Sequence, residues 1–196
     1  MASGDGLARV TYLPGAQPVP PPVASTVSGL DELGRDRGER RAENVSLSAL
    51  TRRGMSRWEM EKTLLSRDLD EGVVEEELER LERVGLIDDL ALAETFVRTQ
   101  HERKGLGRAA LTSELRRRHI SQEAIDLALE QVDDDDEQAR ATELAEKRAG
   151  QLSSYDQETA MRRLTGFLLR KGYSSSIVRN AVDSALRGRS SGVRFR

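Results

Sequence analysis

Six apolar positions recur at the same spacing three times along this 196-residue chain, and that repetition constrains the fold more than any other feature. The first copy reads Met60-x3-Leu64-x4-Leu69-x4-Val74-x3-Leu78-x2-Leu81. The second lies 51 residues on, as Leu111, Leu115, Ile120, Ile125, Leu129 and Val132. The third lies 53 residues further, as Leu164, Leu168, Tyr173, Val178, Val182 and Ala185. Steps of three and four keep side chains on one face of a helix, whereas a strand would need alternation. Aromatic residues are scarce at 4%, which also argues against a strand-rich fold.

The punctuation inside each copy divides it into two helices. Asp70, Ser121 and Ser174 share one position of the repeat, and each side chain can accept a bond from a free amide of the helix that follows. Leu69, Ile120 and Tyr173 precede these caps, and Val74, Ile125 and Val178 follow four residues after them. That is the hydrophobic staple, which sets the angle at which the chain enters the second helix. The first helix of each pair ends near Arg67, Arg118 or Lys171.

A further helix precedes each pair. Ser46–Arg53 supplies a short one, after which Ser56 and Glu59 form a capping box. Gly85 stops the next helix, Asp88 caps another to about Arg103, and Gly105 and Gly107 break it. The Asp133–Asp136 run suits a helix N-terminus, with Leu144 and Ala145 turned inward. The expected fold is all-α: three tandem three-helix repeats, helix-turn-helix-like, in an elongated, curved array whose core is closed by stacking neighbours. Residues 44–84, 85–132 and 133–187 are the three repeats. Residues 1–43, which hold all five prolines, read as a disordered Pro/Gly-rich leader, and 188–196 as a basic tail.

Charge is arranged in blocks that the net value of −3 conceals. Residues 68–94 carry eleven acidic and two basic side chains, and 133–158 carry nine and three. Between and after them, 98–119 carries seven basic and two acidic, and 162–196 carries nine basic and one acidic. The basic blocks suit a polyanion or an acidic protein face. The chain has no cysteine, which excludes disulfides and thiolate metal sites. Its apolar runs are too short for a membrane span, and it shows no secretory signal pattern, so a monomeric cytoplasmic protein is expected.

Catalytic chemistry is not indicated. His101 and His119 fall on different helices, away from any metal-ligand spacing, and are assigned structural roles. Lys104-Gly-Leu-Gly107 joins two helices and lacks the Lys-Ser/Thr of a phosphate loop, and the aspartate run lacks the glycine and spacing of a calcium loop. No enzyme activity, cofactor or metal is therefore expected. Phe167, Tyr155 and Tyr173 are read as core. Arg67, Arg118 and Lys171 are assigned to the C-terminal dipoles of their helices. Basic side chains that the repeat does not require are the better candidates for partner contact. At about 100° per residue, Arg116, Arg117, Arg162 and Arg170 point away from the leucine stripes. Arg98, Arg103, Lys104, Arg108 and Arg163 complete the candidate partner- or DNA-binding set.

The stretch ERVGLIDDLALAETFVR, residues 82–98, resembles the GxxDD…A…FV signature of the RecX regulatory family. Residues 103–121, RKGLGRAALTSELRRRHIS, are similar to the glycine-broken basic segment that follows it and to the family's ELRxKGI pattern. His119 stands where that pattern has glycine. The resemblance spans about residues 45–187. It implies a modulator, usually negative, of the RecA recombinase, lying along the RecA–single-stranded DNA filament and limiting its extension, ATP hydrolysis and strand exchange. A helix-turn-helix transcription regulator is the alternative, although the acidic Glu75-Glu-Glu77 segment of one second helix is ill suited to approach phosphate.

Overall fold

The computed structural model describes residues 25–190, with side chains described for 34–187. Within these residues it is all-helical, with nine helices in three consecutive triplets. Unit 1 comprises α1 (Ser25–Leu50), α2 (Arg57–Leu65) and α3 (Glu71–Arg83). Unit 2 comprises α4 (Asp89–Lys104), α5 (Arg108–Arg117) and α6 (Gln122–Leu129). Unit 3 comprises α7 (Asp134–Gly150), α8 (Gln157–Arg170) and α9 (Ser175–Ser190). In each triplet the first and third helices pack together and the middle helix leans on both.

The expected caps are in place. Asp70 accepts from the Gly72 amide at 2.9 Å, Ser121 from Ala124 at 3.2 Å, and Ser174 from Ile177 at 3.3 Å. Ser56 and Glu59 form the reciprocal capping box, and Asp88 and Asp133 cap α4 and α7. Gly105 ends α4 in the left-handed region at φ 59°, where a side chain would cost about 1–2 kcal/mol.

The eighteen repeat positions are buried, and they divide into three separate cores, one per unit. Met60, Leu64, Leu78 and Leu81 fill the first; Leu111, Leu115 and Ile125 the second; Leu164 and Leu168 the third. The expectation that stacking neighbours closes the core is therefore corrected. Three helices suffice to bury each apolar set, because the first helix of every triplet supplies the missing wall.

The leader boundary is corrected as well. Helix α1 begins at Ser25, not near Ser46, so residues 25–43 of the segment read as leader are helical. Its sequence hid this: Gly34, Gly38 and a high charge density leave too few apolar positions to show a period. The helix is held by tertiary contact. Ala42 is fully buried, Gly38 passes close to Val73 of α3, and buried Ser46 donates to Glu77 at 2.5 Å. Intrahelical pairs Arg40–Asp36 and Arg35–Glu39 add small increments. Residues 1–24, with the prolines, and 191–196 lie outside the described residues.

Candidate functional site: a repeated joint and its exposed basic helices

The units are coupled through a joint that occurs twice with equivalent residues. The N-terminus of α2 abuts the C-terminal turn of α5, and the N-terminus of α5 abuts that of α8. In the first joint the Ser56 hydroxyl donates to the Arg118 carbonyl at 2.7 Å. In the second, the Gly107 amide donates to the Lys171 carbonyl at 2.8 Å and the Ala109 amide to Gly172 at 3.2 Å. A helix start thus donates to the carbonyls of the next unit's helix end, through a hydroxyl in the first joint and through backbone amides in the second, with favourably opposed dipole ends. Gly107 makes no side-chain cap for α5; the incoming C-terminal turn supplies the acceptor instead.

Three further contacts repeat. The first helical amide after the joint, Arg57 or Arg108, donates to a carboxylate on the next unit's first helix: Asp89 at 2.9 Å, Glu137 at 2.8 Å. Gly54 and Gly105 admit Leu92 and Leu144 so closely that a Cβ would lie 2.8 and 2.4 Å from them. Their carbonyls accept from Arg118 at 2.8 Å and from the Tyr173 hydroxyl at 3.1 Å. Burial pushes the Tyr173 phenol well above its ordinary range.

Where the joints differ, they differ by complementary volumes. The turn residue is left-handed in all three units: Asp68 at φ 56°, His119 at 57° and Gly172 at 88°. In the second joint a Cβ on Gly172 would stand 2.3 Å from the Ala110 nitrogen, so only glycine fits. In the first, His119 stacks on Trp58 with ring centroids 3.7 Å apart, which offsets its backbone strain. This accounts for the departure from the glycine of the ELRxKGI pattern. Arg118 closes the same joint by pairing with Glu59 at 2.7 Å, both side chains less than a fifth exposed. Burial pushes the Glu59 carboxyl up. Hydrogen bonds from Arg118, the Ser56 amide and Arg53 outweigh that, and the carboxyl lies below its ordinary range. Asp89 lies above its range because burial exceeds the help from the Arg57 amide.

The candidate basic residues separate into groups on this frame. Arg116, Arg117, Arg162 and Arg170 are all exposed, on the consecutive middle helices α5 and α8. Arg116 and Arg117 share a shallow hollow with Thr112, Ser113 and His119. Arg116 donates to Gln122 at 2.6 Å and Arg117 pairs with Glu114. Arg163 lies over the Tyr155 ring at 3.9 Å. Tyr155 is 40% exposed, which corrects its reading as core; Tyr173 is buried. Arg108 is half-buried, its guanidinium on the Val132 carbonyl at 2.8 Å and near Asp134, its amide on Glu137, and so serves the second joint. Arg98 lines a groove of mixed charge between α4 and α7 with Glu102, Asp136 and Glu143. Arg103 and Lys104 are exposed in the last turn of α4, with the Lys104 carbonyl accepting from the Lys171 ammonium. Burial, with repulsion from Arg140 and Lys104, lowers the Lys171 pKa.

Sequence reasoning missed the joint as a unit. Its signal was present in the repeat alignment, since Gly54 and Gly105, Ser56 and Gly107, and Arg118 and Lys171 are equivalent pairs. It also missed a basic cleft between α1 and α2, because three of its arginines, Arg37, Arg40 and Arg41, fell in the supposed leader. Among the described residues, no group of His, Asp and Glu side chains converges as metal ligands would, and no helix is long and apolar enough to cross a membrane.

Three self-contained triplets, jointed end to end through their middle helices, define a tandem three-helix repeat protein. Two domain descriptions match within it: the second three-helix domain of RecX over residues 88–129 and the third over 134–182. A regulatory protein RecX of Amycolatopsis mediterranei (strain U-32) is 36% identical over 156 residues, covering 80% of this chain and 89% of that one. Its counterpart in Streptomyces coelicolor is 36% identical over 145 residues, covering 74% and 77%. The crystal structure of RecX from Lactobacillus salivarius superposes with a TM-score of 0.71 at 25% identity, covering 78% of this chain and 99% of that one. The chain belongs to the RecX family of regulatory proteins.

Proposed function

We propose that this protein binds the RecA–single-stranded DNA filament and restrains its extension, ATP hydrolysis and strand exchange, acting as a cytoplasmic monomer without cofactor or catalytic residue. The observation that carries the reading is the placement of Arg116, Arg117, Arg162 and Arg170 on solvent-facing surfaces of α5 and α8, helices that the second joint couples directly. Exposed guanidiniums on coupled helices suit a long partner that presents phosphates and carboxylates in succession. Arg98, Arg103, Lys104 and Arg163 are auxiliary contacts in this reading, while Arg108 acts through the joint.

The test is ATP hydrolysis and filament length of the source organism's RecA on single-stranded DNA, with the protein at substoichiometric amounts. Inhibition and shortening are expected. The variant R116E/R117E/R162E/R170E should lose inhibition at unchanged helicity. Wild-type potency in that variant would show that another face binds. No effect of the wild-type protein, together with a sequence-preferring shift of duplex DNA, would replace the reading with a transcription regulator.

A further inference from the structure

The basic cleft on unit 1 is separate from the α5 and α8 surface and lies outside both matched three-helix domain descriptions. It measures about 570 Å³ and runs between α1 and α2. Arg37, Arg40, Arg41, Arg52 and Arg67 line it together with Asn44, and no carboxylate or aromatic side chain does. All five arginines are exposed. Arg40 pairs with Asp36 across the edge; Arg37, Arg41, Arg52 and Arg67 have no ion pair among the described residues.

Two features mark this as more than a solvated helix face. The first is composition: the opposite flank of α1 mixes signs, with Glu39 and Glu43 meeting Glu76, Glu77 and Glu79 of α3 among Arg40, Arg80 and Arg83, whereas the cleft flank gathers five arginines and no carboxylate. Random surface charge intersperses signs, and like charges gathered in one concavity repel in the free protein. The second is Arg67. Its equivalents Arg118 and Lys171 are both engaged on oxygen atoms in the joints, at Glu59 and Gly54 and at the Lys104 carbonyl. Arg67 stands at the same place with no such acceptor among the described residues, and turns to the cleft.

We infer that this cleft is a second nucleic-acid site, one that grips the phosphate backbone of a strand without reading its bases. Arg37, Arg41, Asn44 and Ser48 follow one another at steps of four, three and four, which places them along one stripe of α1 about 16 Å long. Arg52 extends the stripe past the helix end, and Arg67 faces it from the turn that follows α2. A row of regularly placed donors suits a regularly charged polymer. An acidic peptide would need apolar anchors as well, and the floor supplies only Val45 and Ala49. The absence of aromatic lining removes the stacking platforms that single-strand readers use. Contact is therefore electrostatic, tolerant of sequence and strongly dependent on salt. The inference extends the filament reading by giving unit 1 its own hold on DNA, although the site itself requires no RecA.

The experiment is fluorescence anisotropy of a labelled 20-nucleotide oligothymidylate titrated with the full chain over a range of salt, without RecA. The wild type should bind. The variant R37Q/R41Q/R52Q/R67Q should bind at least tenfold more weakly at low salt. The log–log salt slope should flatten by about 3, at about 0.7 per phosphate contact on a single strand. Far-UV circular dichroism of the variant checks that α1 remains helical, and the single change R41Q, with an expected loss of several-fold, tests the site if the quadruple variant misfolds. Affinity within twofold of wild type at an unchanged slope overturns the inference, as does a wild type that does not bind. A labelled deca-glutamate that binds through the cleft, with oligothymidylate binding indifferent to the four changes, overturns it in favour of an acidic peptide. A wild type that binds oligothymidylate through the cleft yet leaves RecA unaffected would refute only the filament reading.

Discussion

Replacing Gly107 by alanine should uncouple units 2 and 3 while leaving both cores intact. Gly107 has φ −82° and ψ 168°, ordinary extended backbone, so alanine meets no conformational strain there. The obstacle is the joint: a Cβ would lie 2.7 Å from the Gly172 oxygen, 2.8 Å from its carbonyl carbon and 2.8 Å from the Tyr173 nitrogen. These are backbone atoms of a turn already fixed by Tyr173 burial, and they cannot move aside as a flexible side chain would. Separation stretches the Gly107–Lys171, Ala109–Gly172 and Tyr173–Gly105 hydrogen bonds. At about 0.5–1.5 kcal/mol net for each, their loss amounts to about 2–4 kcal/mol. Leu111 and Leu115 belong to one core and Leu164 and Leu168 to another, and none of these contacts crosses the joint. Urea denaturation followed by far-UV circular dichroism should therefore show an earlier and broader transition at nearly unchanged starting helicity. Hydrogen exchange of the Gly107 and Ala109 amides should accelerate in parallel. An unchanged midpoint and slope, with both amides as protected as in wild type, would refute the tight joint.

Other outcomes follow from the same structure. Gly150→Ala, at the end of α7 with nothing within 4 Å of a new Cβ, should stabilise by about 0.4–1 kcal/mol in the same denaturation assay. Glu59→Gln should cost about 1–3 kcal/mol and flatten the acid side of the stability profile. The folded-state pKa of Glu59 is lowered, so its contribution is present above the unfolded-state value and is lost as pH falls through the folded one. Asp89, whose pKa is raised, acts in the opposite sense, so the difference between wild type and E59Q at each pH is the informative quantity. Trp58 is the sole tryptophan, and its emission reports the first joint. His119→Gly should change that emission through loss of the stack yet alter stability by less than about 1 kcal/mol, because relief of the left-handed strain offsets the lost contact.

Periodicity and capping chemistry were sufficient to place α2, α3, α5, α6, α8 and α9. An N-cap and a staple are local: Asp70, Ser121 and Ser174 act on amides two or three residues away, and the apolar spacing needs only one helix to be visible. The outward direction of Arg116, Arg117, Arg162 and Arg170 follows from the same local geometry. The sequence also carried the family resemblance, since the DD and FV positions and the ELRRRHI segment lie close together in the chain.

Tertiary structure decided what depends on residues far apart. Helix α1 is too polar to announce itself, and it exists because Ala42 and Ser46 meet α3 about 30 residues on. Arg108 looks like any exposed arginine until Val132 and Glu137 are brought to it, and the arginine cleft appears only when α1 lies beside α2. The three-fold repeat was legible because each unit repeats its own local chemistry. Whether its units share one core or keep three was not, since the same buried leucines serve either arrangement. The choice rests on whether the first helix of each triplet can close the unit, and the contacts of α1, α4 and α7 with α3, α6 and α9 show that it does.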